Sequence, residues 1–216
     1  MPAALTEPEI IVGVVGCSAV VEAYPLGPAM MQRLERRLAE VPGARAENMT
    51  WGPIHIVRQD QDEGGPRPAR LVLIGYASVS TCPGRVTAHR WTGGVLSDAA
   101  VQERVHEAVT GVVDLENTLM IGERFGIWPP ECDTVEADIP ADTFGHMVMA
   151  ESAGRDGDAA LTALLGFSPA RMVDEVIAAA VDLAANGPAA RTDVTPKGAG
   201  DLVPPVSFMR DRAAAV

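Results

Sequence analysis

The segment "IIVGVVGCSAVVEAYPLGPAMMQRLERRL", residues 10–38, decides the fold class. Its first six residues are apolar and mostly β-branched, which is typical of a buried strand in a parallel sheet. After a turn, Pro28 suits the first turn of a helix. The apolar residues that follow recur at helical spacing, at Met30, Leu34, Leu38 and Val41. A buried strand followed by an amphipathic helix predicts an α/β fold.

The rest of the chain continues this pattern. Four further stretches predict strands: 54–57, 70–77, 84–91 and 132–139. The last two alternate between apolar and polar residues, as exposed or edge strands do. Residues 98–126 predict mainly helix, with a break near Gly111. Ser168 and Gly187 are the expected first and last caps of a long amphipathic helix.

This order of elements predicts a three-layer α/β sandwich, in which helices flank a twisted, mostly parallel sheet. We expect one domain over residues 1–187, with residues 141–166 as an insertion before the last helix. Residues 188–216 are rich in proline and glycine and predict an extended C-terminal tail.

Composition narrows the function classes. The chain has 216 residues, 47% of them hydrophobic, a net charge of −12 and a pI near 4.7. Nucleic acid and anionic membrane surfaces are poor partners for so acidic a protein. Three cysteines without a paired motif predict neither a disulfide framework nor a structural zinc site. With no signal-peptide pattern and no long apolar run, we expect a cytoplasmic protein.

Familiar catalytic and cofactor motifs are missing from the sequence. Gly13 and Gly16 follow a strand, but the third glycine of a dinucleotide fingerprint is absent. There is no phosphate-binding loop and no GxSxG elbow. The four histidines lack the spacing of metal ligands. Without these motifs, the sequence gives no support for a nucleotide site, for acyl transfer or for metal chemistry.

Three separated stretches, in the same order, resemble the [NiFe]-hydrogenase maturation protease family. The first is the strand, turn and "GPAMMQRL" helix of residues 10–34. The second is "RLVLIGYASVSTCPGRVTAHRW", residues 70–91. The third is "LENTLMIGERFGIWPPECDTVEADIPADTFG", residues 115–145, followed by "GFSPARMVDEVIAAAVDLA", residues 166–184. The resemblance implies an α/β domain with a twisted sheet between helices.

The resemblance also implies an activity and a ligand set. Members of that family remove a C-terminal peptide from the hydrogenase large subunit after nickel insertion. Their nickel ligands are an acidic residue after the first strand, an aspartate after the third and a histidine in the middle helical region. In this sequence the corresponding positions hold Ala23-Tyr24, Gly75, and Gly111 or Val112. We therefore predict no resident cofactor and no metal ligands.

Three hypotheses follow from these departures. A non-catalytic relative would bind a protein partner, such as a hydrogenase large subunit or a related complex. An active endopeptidase would need a rearranged site built from Glu22, His106 and Asp114, and only then would nickel or another divalent ion bind. An enzyme of another class would use a small-molecule cleft, for which the candidate residues are Tyr24, Gly75, Tyr76 and Ser78. The two tyrosines could equally fill space that the ligands left.

Overall fold

The computed structural model describes residues 9–16, 24–50, 68–109, 114–140, 142–155 and 157–202. Within these ranges the chain forms one six-stranded sheet of order β2-β1-β3-β5-β4-β6. The strands are β1 (Ile10–Val14), β2 (Ala44–Asn48), β3 (Arg70–Tyr76), β4 (Val86–Trp91), β5 (Glu131–Ala137) and β6 (Val194–Lys197). All neighbouring strands run parallel except β4 and β5, which are antiparallel. The predicted α/β class with a mostly parallel sheet is confirmed.

Helices cover both faces of the sheet. They are α1 (Pro28–Leu38), α2 (Asp98–Val109), α3 (Leu115–Phe125), α4 (Thr143–Ser152), α5 (Gly157–Leu165) and α6 (Pro169–Asn186). Residues of α1, α4, α5 and α6 pack in one hydrophobic core on the first face. Residues of α3 pack in a second core on the opposite face, and α2 packs on α3. None of the described helices is long and apolar enough to cross a membrane.

Most of the predicted elements are present, with three differences. The polar strand β2 was not predicted, and the strand predicted at 54–57 lies outside the described residues. Strand β5 is not half-exposed, because every residue after Glu131 is buried. Beyond residue 187, β6 pairs in parallel with β4 at the sheet edge. The domain boundary placed at residue 187 stays a prediction.

The long helix α6 has the predicted ends. The Ser168 hydroxyl accepts a hydrogen bond from the backbone N–H of Arg171, and the N–H of Gly187 bonds to the carbonyl of Leu183. The guanidinium of Arg70, on β3, donates to the carbonyl oxygens of Leu183 and Ala184. A cation at a helix C-terminus is favourable because the last carbonyls lack helical partners. Arg70 thus fixes the end of α6 against the sheet.

The segment predicted as an insertion contains α4 and α5, which pack on each other, and α5 also packs on α6. Leu161 of α5 is fully buried in the first core, whereas Leu164, one turn later, is 41% exposed. Substitutions at these two leucines therefore distinguish the contribution of core packing from that of helix propensity within one short helix.

We expect Leu161→Ala to lower the free energy of unfolding by about 2–5 kcal/mol, because it leaves a cavity in the core. The control Leu164→Ala should change it by no more than about 0.5 kcal/mol. Chemical denaturation of both variants measures the difference. Equal effects would mean that Leu161 does not pack in the first core.

Candidate functional site

The carboxyl ends of β1, β3 and β5 meet at one edge of the sheet, where ligands of parallel α/β folds commonly bind. Successive side chains of a strand point to opposite faces. Leu73 and Gly75 of β3 therefore face α3, whereas Ile74 and Tyr76 face the first core. Gly75 is the register partner of Glu136 on β5, which places Glu136 on the α3 side as well.

Helix α3 begins directly over Gly75. A Cβ atom built on Gly75 would lie 2.7 Å from Cβ of Leu115, the first residue of α3, which is itself buried. That separation is too short for two carbon atoms, so only glycine permits this approach. Gly75 therefore acts as a packing position under α3, and it offers no side-chain donor at the end of β3.

A lysine bridges two buried carboxylates beside this contact. The Lys197 ammonium, carried by β6, lies 2.8 and 3.0 Å from the two carboxylate oxygens of Glu136. It also lies 3.5 Å from Oε1 of Glu116 on α3. The side chains of Glu136 and Glu116 are only 6% and 3% exposed. The ammonium thus connects the sheet edge to the first turn of α3.

Arg104 of α2 continues the network on the other side of Glu116. Its guanidinium lies 3.3 Å from Oε2 of Glu116, 3.0 Å from Oδ1 of Asn117 and 3.5 Å from Oε2 of Glu107. We call these six residues the lysine-bridged cluster: Arg104, Glu107, Glu116, Asn117, Glu136 and Lys197. Burial of a carboxylate is costly unless a cation compensates for the lost hydration. In this cluster each buried carboxylate has such a cation.

The lysine-bridged cluster could not be recognised from the sequence. Its residues come from four elements spread over residues 98–197, and none belongs to a recognisable motif. One signal was available: of the 17 lysine and arginine residues in the chain, Lys197 is the one lysine. A chain that otherwise uses arginine places its lysine between two buried glutamates.

The candidates from the endopeptidase hypothesis occupy different environments. Asp114 is the N-cap of α3, and its carboxylate accepts a hydrogen bond of 2.7 Å from the backbone N–H of Asn117. Burial raises the pKa of Asp114, which that hydrogen bond and the charge of Arg104 oppose. His106 lies exposed on α2. Glu22 and the positions 111–112 lie outside the described residues.

Two of the candidate cleft residues meet on the first face of the sheet. The rings of Tyr24 and Tyr76 contact edge to face, with centroids 6.4 Å apart and planes at 87°. Tyr24 is buried in the first core, and burial, together with the charge of Tyr76, raises the pKa of its phenol. A Cβ atom built on Gly16 would lie only 2.5 Å from the hydroxyl oxygen of Tyr76, so the tyrosine leaves no room for a side chain there. The tyrosines therefore fill the space at the end of β1, on the face away from Gly75.

Ser78 lies exposed in the loop that joins β3 to β4. Asp138, which follows β5, holds this loop in place: its Oδ2 accepts hydrogen bonds from the backbone N–H groups of Thr81 and Cys82, at 2.9 and 2.6 Å. Burial would raise the pKa of Asp138, but hydrogen bonds, including one from Ser80, outweigh it and lower the pKa. The loop is thus tied to the end of β5.

Solved structures that are similar to this chain include the following two. One is the hydrogenase 3 maturation protease, with a TM-score of 0.41 and 11% identity over 84% of this chain and 92% of that one. The other is the hydrogenase 2 maturation peptidase from Thaumarchaeota archaeon SCGC_AB-539-E09. Its TM-score is 0.36, with 17% identity over 81% of this chain and 94% of that one. No family model and no curated protein matches the sequence.

The close approach of Leu115 to Gly75 predicts that a larger residue at position 75 destabilises the fold. Gly75→Ala should lower the free energy of unfolding by about 1–3 kcal/mol, because the added methyl group collides with a buried side chain. The control is Gly145→Ala in α4, where a Cβ would meet nothing within 4 Å. That control should be neutral or raise stability by up to about 1 kcal/mol, since alanine favours a helix over glycine. Tolerance of alanine at both positions would contradict the close approach of α3.

His89 of β4 lies at the border of the lysine-bridged cluster, where its Nδ1 is 2.8 Å from the hydroxyl oxygen of Thr195 on β6. Burial lowers the pKa of His89, and the charge of Lys197 lowers it further, whereas Glu136 and Asp201 oppose the change. The folded state therefore binds this proton less readily than the unfolded chain does. The stability that results is complete above the unfolded pKa of about 6.5 and is lost as the pH falls through the lower folded value.

We expect the free energy of unfolding to fall between pH about 7.5 and pH about 5, and His89→Gln to reduce this dependence. Chemical denaturation at several pH values in this window measures both. The control His146→Gln alters an exposed histidine of α4 and should keep the wild-type trend. If His89→Gln also keeps it, His89 is not the responsible group.

Proposed function

We propose that this chain is a hydrogenase-maturation-protease-like protein that binds a protein partner and has no peptidase activity. The observation that carries the proposal is the Gly75–Leu115 contact at the end of β3. The sequence resemblance assigns an aspartate ligand to this position. A side chain of any kind at residue 75 would collide with α3 in the present packing.

The described residues at the corresponding positions do not fit a nickel ion. Gly75 has no donor atom, and Tyr24 offers a buried phenol with a raised pKa instead of a carboxylate. Nickel in proteins is typically bound by imidazole nitrogens and by oxygen ligands in square-planar or tetragonal sites. Among the described residues, no group of three histidine, cysteine, aspartate or glutamate side chains is arranged to hold a metal.

The charges near the end of β3 also disfavour a divalent ion. Glu136, the neighbour of Gly75 across the sheet, already binds the Lys197 ammonium with both oxygens. Glu116 lies between Lys197 and Arg104. A divalent ion would have to displace or approach these fixed positive charges, at a high electrostatic cost in a buried region. The carboxylates are thus better suited to holding the fold together than to binding metal.

The test uses the purified full chain and a nickel-loaded hydrogenase large-subunit precursor. We expect the chain to bind the precursor without shortening it, as measured by native mass spectrometry of the complex and by the intact mass of the precursor. The matched variants Glu22→Gln and His106→Gln should behave like the wild type.

Shortening of the precursor that these variants abolish would overturn the proposal in favour of the endopeptidase. If the precursor is neither bound nor shortened, the hydrogenase large subunit is not the partner. A metal analysis of the purified protein adds an independent readout, because stoichiometric nickel would contradict the absence of a working metal site.

A further inference from the structure

Strand β6 is a peripheral part of the sheet. It has four residues and lies outermost beside β4. Two of its four residues, Thr195 and Pro196, are exposed. Proline cannot donate a hydrogen bond to a neighbouring strand, which confines it to sheet edges. β6 is therefore a short strand at the edge of the sheet, paired on one side only.

Four side chains of the segment attach it to the rest of the fold. Val194 packs against the first core, and Ala199 is buried in the second core. Between them, Thr195 lies within hydrogen-bond distance of His89 and Lys197 reaches into the lysine-bridged cluster. The backbone adds hydrogen bonds from the N–H of Thr92 to the carbonyl of Lys197 and from the N–H of Ala199 to the carbonyl of Gly93. Side-chain attachment is thus concentrated within residues 194–199.

The surface that β6 covers has two properties of a strand-binding site. The outer edge of β4 presents backbone groups that pair with a parallel strand. Beside it, Glu136 and Glu116 are buried carboxylates that require a cation. An extended segment that brought no positive charge would remove the cation bound to Glu136 and would leave Glu116 with Arg104 alone.

The spacing around the cluster favours lysine over arginine. The ammonium is a compact charge with three donors, and here it reaches three carboxylate oxygens within 3.5 Å. The planar fork of arginine would need more room. A Cβ built on Gly94 would lie 2.9 Å from Cβ of Ala199, so the buried Ala199 packs directly on the glycine backbone, and this position two residues after the lysine suits a small side chain.

We propose that β6 is an exchangeable strand, and that its place on β4 takes an extended segment of a partner protein. The segment has a β-branched residue, then a lysine three positions later and a small residue two positions after that. This inference deepens the proposed function, since it assigns the surface and the chemistry of the partner that the proposed function requires. Partner binding then competes with the chain's own C-terminal segment for the two glutamates.

The first experiment uses the full chain with Lys197→Met and a fluorescent peptide of residues 188–202. The variant loses its own cation, so the wild-type peptide should bind by supplying one. A peptide with the same Lys197→Met change should bind at least tenfold more weakly. Equal affinity of the two peptides, or no binding of either, overturns the proposal. If the wild-type chain forms a dimer by exchanging β6, the occupant is a second copy of this chain and not a separate partner.

The second experiment uses the wild-type chain and does not depend on the folding of a variant. Because Lys197 is the chain's one lysine, amine labelling followed by mass spectrometry reports the state of this strand directly. We expect slow labelling that accelerates at least severalfold when excess peptide 188–202 displaces β6. The peptide with Lys197→Met should leave the rate unchanged. A rate that the wild-type peptide does not alter overturns the exchange.

These experiments are independent of the hydrogenase precursor. If strand exchange is observed but the precursor does not bind, the place of β6 on β4 is the binding surface for another partner. A bound precursor without strand exchange would keep the proposed function and exclude β6 as its surface.

Discussion

The ammonium of Lys197 makes the burial of two glutamates compatible with a folded chain. Glu136 lies in the middle of the sheet edge and Glu116 in the first turn of α3, and both are nearly inaccessible to water. Without Lys197, Glu136 would lose the ammonium that binds both of its oxygens, and Glu116 would keep only Arg104, in a region of low dielectric. One side chain therefore links α3, the end of β5 and the outermost strand β6.

This dependence explains the arrangement on the second face of the sheet. Gly75 lets α3 approach the sheet, and the approach brings Glu116 within reach of Lys197. Arg104 on α2 then compensates for the other side of Glu116, which ties α2 into the same network. At the end of the third strand, the hydrogenase maturation proteases that this sequence resembles have a carboxylate ligand. At the same position this chain has close packing and internal ion pairs. That difference is the physical basis of the non-catalytic function that we propose.

The sequence was sufficient for the central strands and for α6, because their signals are local. Apolar runs identified β1 and β3, and Ser168 and Gly187 identified the ends of α6. Strand β2 was missed because its sequence, "ARAEN", has the polar composition of a loop. The proline in β6 made residues 194–197 look like part of a tail. The lysine-bridged cluster could not be predicted, since burial and pairing across four elements are properties of the folded chain alone.

The segment between α6 and β6 has a constraint that its surface location would not suggest. Residues 188–193 include a short 3-10 helix and are mostly exposed, and segments of this kind usually tolerate insertions and deletions. Side chains alternate between the two faces of a strand. The insertion or deletion of one residue in this segment would therefore either unpair β6 or shift its register, which would turn Lys197 towards the opposite face. The length of this connection is therefore a constraint of the fold, and we expect homologous chains that keep the lysine also to keep the number of residues before it.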